Sequence, residues 1–138
     1  MSKVSESRAI GDGLVADMLS GNLDGVLARL HPNIVVHEAD SLPFGGDWTG
    51  RDGFANLVAN LSSYAELDIP EYTIYETAVG MVIVMQVTLT SRASAATLRT
   101  RIAEIYRLTD GLVSEIDVYY KDVKAVLELI GEDWSAGR

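Results

Sequence analysis

The sequence predicts an α+β fold, with helices packed on one face of a mostly antiparallel sheet. Three observations carry that reading. Up to about residue 61, apolar residues recur at helical spacing. From residue 72 the period changes, and four segments rich in Val, Ile, Thr and Tyr follow, divided by turn residues. The length, 138 residues and 15.0 kDa, suits one domain with a core able to hold a pocket.

Each element has a local reason. Ile10, Leu14 and Met18 share one helical face, and Gly21 follows as a stop. Asn22 is placed to cap a second, short helix carrying Val26, Leu27 and Leu30. The His31-Pro32 pair ends it, because proline disfavours helix in the residue before it. Residues 34–38 read as a strand, and SLPFGGDWTG reads as a loop from its Pro and Gly content. From about Arg51, the spacing of Phe54, Leu57, Val58 and Leu61 predicts a third amphipathic helix. Strands are expected over 72–77, 81–90, 98–108 and 112–120, with turns at 91–96 and at Thr109-Asp110-Gly111. Asp122 caps a last helix bearing Val123, Val126, Leu127 and Ile130, which Gly131 is expected to stop.

Composition excludes several function classes. Hydrophobic residues make up 48% and charged residues 22%, an ordinary globular balance. Net charge is -9, from 20 acidic and 11 basic residues, so nucleic acid and anionic membranes are poor partners. The nearest basic cluster, Arg99, Arg101 and Arg107, reads as a solvated or interface-facing strand surface. There is no cysteine, hence no disulfide, cysteine zinc site or thiol nucleophile. The longest apolar run, around 81–85, is far short of a membrane span, and MSKVSESRAI has no secretory apolar core, so a cytoplasmic location is expected. No dinucleotide fingerprint, Walker loop or GxSxG elbow is present. His31 and His37 form no metal-binding pattern. No cofactor and no metal are therefore expected, and catalysis has to come from carboxylates, tyrosines and a histidine.

Strand alternation selects the polar groups that turn inward. Over 98–108, Glu104 shares a face with Leu98, Ile102, Tyr106 and Leu108, the more apolar set. It is either buried among them, needing a hydrogen bond or a proton, or at a sheet edge paired with an arginine. Glu38 ends the row Ile34, Val36, Glu38, while His37 lies on the other face. His37 is a candidate to touch a ligand, or else a partly exposed structural histidine. Over 112–120, alternation turns Ile116, Val118 and Tyr120 inward and leaves Glu115 and Asp117 to solvent.

Three strings, GNLDGVLARLHPNIVVHEADSLPFGG, WTGRDGF and EIYRLTDGLVSEIDVYYKD, resemble in order and spacing the nuclear transport factor 2-like superfamily, in its SnoaL-like polyketide cyclase and ketosteroid isomerase branches. The resemblance implies one domain over 1–138. It implies a curved sheet wrapped by the helices into a cone, and a homodimer formed through the outer sheet face. The cone's open end would admit a small, mostly apolar ligand of polyketide or steroid type. Position by position, the resemblance places a general base at Glu38, a protonated oxyanion-hole acid at Glu104 and an acid/base aspartate at Asp117. The second oxyanion donor of the isomerases, a tyrosine, falls on Leu14, which lacks a hydroxyl and so disfavours steroid isomerisation. Ile102 stands where epoxide hydrolases of the superfamily carry an arginine, which disfavours epoxide opening. On Asp117, resemblance points inward and alternation outward; the inward reading is taken here.

The expected chemistry is cofactor-free proton abstraction next to a carbonyl, leading to isomerisation, ring closure or elimination. Crowded carboxylates cannot all ionise in an apolar pocket, so one serves as base and another as neutral donor. Glu38 is the expected base, with Glu104 or Asp117 as the acid. Tyr64, Tyr106 and Tyr119 are candidates to orient the ligand, and Phe44 and Trp48 to close the mouth; plain core packing is the alternative for each. The rival function is a non-catalytic small-ligand-binding or dimerisation module of the same fold. The number of acids expected to point inward favours an enzyme.

Overall fold

The computed structural model of the chain describes residues 3–136. Helix α1 (Lys3–Ser20) ends at Gly21, whose φ of 72° is a left-handed conformation open to glycine without steric penalty. Asn22 caps the short α2 (Leu23–Ala28), its side-chain oxygen accepting from the Gly25 amide at 3.0 Å. Strands β1 (Leu30–Glu38) and β2 (Gly46–Thr49), helix α3 (Gly50–Tyr64), and strands β3 (Ala65–Glu76), β4 (Gly80–Ser91), β5 (Thr97–Thr109) and β6 (Leu112–Tyr120) follow. Helix α4 (Val123–Ala136) closes the order, with the Asp122 carboxylate accepting from the Ala125 amide at 3.0 Å.

The curved, open six-stranded sheet has the order β2-β1-β6-β5-β4-β3. Strands β3 to β6 form an antiparallel meander, and β1 pairs antiparallel with β2. Between β1 and β6 the pairing is parallel, with Val36 opposite Ile116 and His37 opposite Asp117. Helices cover the inner face: Leu14 and Val15 of α1, Phe54 and Leu57 of α3, and Val126 and Ile130 of α4 are buried with Ile83, Val87 and Ile116 of the sheet. α1 lies close on the strands. A Cβ added at Gly11 would stand 2.7 Å from Ile74 Cδ1 and 2.9 Å from Met81 Sδ. The outer face of the sheet is uncovered in the monomer and leaves Tyr75, Ile105 and Tyr119 exposed.

Four boundaries differ from the sequence reading. Gly46–Thr49, expected within a loop, forms the edge strand β2. β1 begins at Leu30, not at Ile34, and His31-Pro32 falls where the β1–β6 register shifts, so proline displaces no ladder bond there. β3 begins at Ala65, well before Tyr72; Pro70 is tolerated because β3 is an edge strand whose register shifts between Asp68 and Glu71. Helix α4 runs through Gly131 instead of stopping there. No described helix is long and apolar enough to cross a membrane.

Candidate active site

Between the helices and the inner sheet face lies a cavity of about 580 Å³. Its walls are mostly apolar, supplied by residues such as Val36, Leu57, Met85, Ile102 and Ile116. Four carboxyl residues line it. Asp17 and Glu66 are paired with Arg29 and Arg92, at 3.3 and 3.2 Å, whereas Glu38 and Glu104 are held by tyrosines. Glu38, the last residue of β1, is 8% exposed, and its Oε1 accepts a hydrogen bond from the Tyr120 hydroxyl at 2.8 Å. Glu104, in the middle of β5, accepts from the Tyr106 hydroxyl at 2.5 Å. Tyr106 and Tyr120 both line the cavity, so each acid carries its own phenol.

Burial governs the electrostatics. It pushes the Glu38 carboxyl up to about 7 from an ordinary 4.5. Repulsion from Glu104 adds to the rise; the Tyr120 hydroxyl and the Ala39 amide oppose it by stabilising the carboxylate. Burial likewise raises Glu104, against the pull of Tyr106. Tyr106 and Tyr120 are themselves raised, first by burial and then by their acid partners, so both phenols keep their protons at neutral pH. At that pH Glu38 is divided between its two forms.

The profile of the SnoaL-like domain matches residues 13–116, which includes Glu38, Glu104 and Tyr106. The chain belongs to the SnoaL-like domain family. Solved structures agree on the fold. A nuclear transport factor 2-like protein of unknown function from Burkholderia pseudomallei superposes with a TM-score of 0.84 at 16% identity, over 94% of this chain and 98% of that one. A putative polyketide cyclase from Xanthomonas campestris gives 0.80 at 14% identity, over 94% and 98%. TerC, co-crystallised with polyporic acid, gives 0.78 at 18% identity, over 91% and 98%. Among curated proteins, none matches this chain.

Other expected site residues divide between this cavity and the outside of the SnoaL-like fold. Phe44 and Tyr64 line the cavity and stack at a tilt, with ring centroids 6.0 Å apart. Trp48 does not line it. The half-buried indole donates to the Phe44 carbonyl at 2.9 Å and so holds the loop that carries Phe44. Asp117 does not enter the cavity, a correction to the inward reading. Alternation holds along β6, and Asp117 lies on the outer side with Tyr119, whose hydroxyl donates to it at 3.0 Å. Tyr119 is 53% exposed, so it does not orient a guest inside.

His37 is also external. Its Nδ1 lies 2.7 Å from an Asp47 oxygen and its Nε2 lies 2.8 Å from a Glu115 oxygen. Those two bonds, Asp47 first, hold its imidazole above the ordinary value. The carboxylates lie on opposite sides of the ring, so their lone pairs do not converge, and among the described residues no group of His, Asp and Glu is arranged to hold a metal ion. Tyr120 is the site residue missing from the sequence-based candidates. Its signal was present, since alternation sets it on the Ile116 and Val118 face of β6.

Proposed function

We propose that this SnoaL-like domain is a cofactor-independent acid/base enzyme that removes a proton next to a carbonyl on a small, mostly apolar ligand of polyketide or steroid type. The observation that carries the reading is the pair Glu38 and Glu104 in one apolar cavity, each tied to a tyrosine that keeps its proton. Glu38, ionised in part at neutrality, takes the α proton. Glu104, whose carboxyl burial shifts toward the protonated form, donates its carboxyl proton as a hydrogen bond to the developing enolate oxygen. Glu38 then returns the proton: to another carbon in isomerisation, or to a leaving oxygen in elimination. In aldol-type ring closure the enolate carbon first bonds to a second carbonyl carbon of the ligand, whose C=O π electrons pass to its oxygen, and Glu38 protonates that alkoxide. The putative polyketide cyclase and TerC, co-crystallised with polyporic acid, among the structurally similar proteins support a ligand of this character.

The test uses 2-tetralone and similar apolar ketones in heavy water, with α-proton exchange followed by NMR. The protein is expected to accelerate exchange above buffer, with a rate that rises through about pH 7 as Glu38 ionises. Binding without acceleration for any ketone would instead make the domain a non-catalytic small-ligand carrier.

The same reading has two copies pairing through the outer sheet face. Tyr75 of β3, 57% exposed, and Ile105 of β5, 46% exposed, flank Val82 of β4 on one row of that face. Arg107, two residues beyond Ile105 and 3.7 Å from Glu115, borders the row, and Arg101 and Arg99 lie farther along β5, where they offer partners for the other copy's acids. Tyr75→Glu is expected to shift the protein from dimer to monomer in sedimentation velocity, with the circular dichroism spectrum unchanged. A wild-type protein that sediments as a monomer at micromolar concentration removes the interface.

A further inference from the structure

Glu38 and Tyr120 stand at the brim of the sheet. Each is the last residue of its strand, and β1 and β6 run parallel, so both strands end on the same side. Two hollows meet at that brim. One is the apolar cavity. The other, about 420 Å³, lies outside, bordered by Val123 at the start of α4 and by Asp40, Asp47, Asp117 and His37. Glu38, Val118 and Tyr120 border both. The cavity also reaches the surface elsewhere. There it is bordered by Leu19 at the end of α1 and Leu67 near the start of β3, which are 45% and 42% exposed, and by Arg92.

We propose that the two openings serve different traffic: ligand passes between Leu19 and Leu67, and the proton on Glu38 exchanges with solvent through the outer hollow. The argument is one of occupancy. An apolar guest in the cavity expels water from the inner side of Glu38. Proton transfer requires an acceptor within hydrogen-bond reach, directly or through one water. With the guest in place, the outer hollow is the side on which Glu38 still meets a polar surface. The step moves one proton from the Glu38 carboxyl to solvent in that hollow and leaves a carboxylate. Tyr120 keeps its own proton and steadies the carboxylate through the 2.8 Å bond. Asp40, Asp47, Asp117 and His37 surround the receiving space, while Glu104 and its phenol Tyr106 face the cavity instead. A proton taken from the guest can therefore exchange with solvent before the guest leaves.

The inference rests on Glu38 exchanging a proton while the cavity is filled, not on its being the catalytic base, and the experiment needs no substrate. The side-chain carboxyl of Glu38 is followed by carbon-13 relaxation dispersion at its titration midpoint, the signal being assigned by its loss in Glu38→Gln. The cavity entrance is plugged by Leu67→Cys modified with octyl methanethiosulfonate, which reacts at one site because the chain has no other cysteine. The protonation rate is expected to stay within about threefold of the unplugged protein, and to fall about tenfold when Val123→Phe is added to narrow the outer hollow. Slowing beyond about threefold on plugging the entrance alone would show that protons use the ligand's door, and overturns the proposal. So does an unchanged rate in a folded Val123→Phe protein that carries the plug. Should Val123→Phe fail to fold, the plugged protein alone still decides between the two doors. Failure here with intact ketone exchange sinks the route and spares the enzyme; loss of ketone exchange with this result intact does the reverse.

Discussion

Glu38→Gln is expected to suppress ketone α-proton exchange by ~10²–10⁴-fold and, at the same time, to stabilise the fold above neutral pH. Glutamine keeps the shape of the side chain, and its carbonyl still accepts the Tyr120 hydroxyl, but it has no basic lone pair of use. The stability gain follows from linkage. The folded state lifts this carboxyl from 4.5 to about 7, so between those pH values it binds more protons than the unfolded chain. Stability therefore falls as pH rises through that window, and the ionised form costs roughly 3 kcal/mol once it is complete. Below the window both states are protonated and the cost is absent. Urea unfolding should show Glu38→Gln more stable than the wild type at about pH 8 and equal to it at about pH 4. Equal stability at both values would mean that Glu38 carries no buried charge, and the proposed base would be lost with it.

The second large effect separates two substitutions at one position. Glu104→Leu removes the neutral donor aimed at the enolate oxygen and should lower exchange by ~10²–10³-fold. It also leaves the buried Tyr106 hydroxyl without its acceptor. Glu104→Gln keeps both functions, since its carbonyl accepts from Tyr106 and its amide donates to the ligand, so most of the rate should survive. If glutamine is as damaging as leucine, Glu104 acts as a charge and not as a donor, and the roles assigned to the two acids have to be exchanged.

The parts of this site legible in the sequence are those fixed by period. Glu38 and Glu104 end or interrupt apolar rows of alternating strands, and both open into the cavity. Asp117 shows the same rule against a competing argument: the pleat of β6 turned it outward, and similarity to a family could not reverse a side-chain direction set by the backbone. What the sequence did not disclose depends on contacts between distant segments. β2 is four residues long and exists because Val35 to Glu38 offer it a ladder. The early start of β3 is likewise set by pairing with the far end of β4, since Ala65 lies opposite Ser91. Alternation turns Tyr120 inward, but its role comes from a carboxylate 82 positions away, a pairing that no local pattern shows.

The parallel seam between β1 and β6 also dictates when the active groups come together. Glu38 and Tyr120 are separated by 82 positions, so that bond closes the long loop that holds α3 and the whole meander. A chain emerging from the ribosome has Glu38 long before it has Tyr120, the phenol bonded to it. The proposed chemistry is thus withheld until synthesis has passed the final strand, since a chain lacking β6 has no Ile116, Val118 or Tyr120 to wall the cavity.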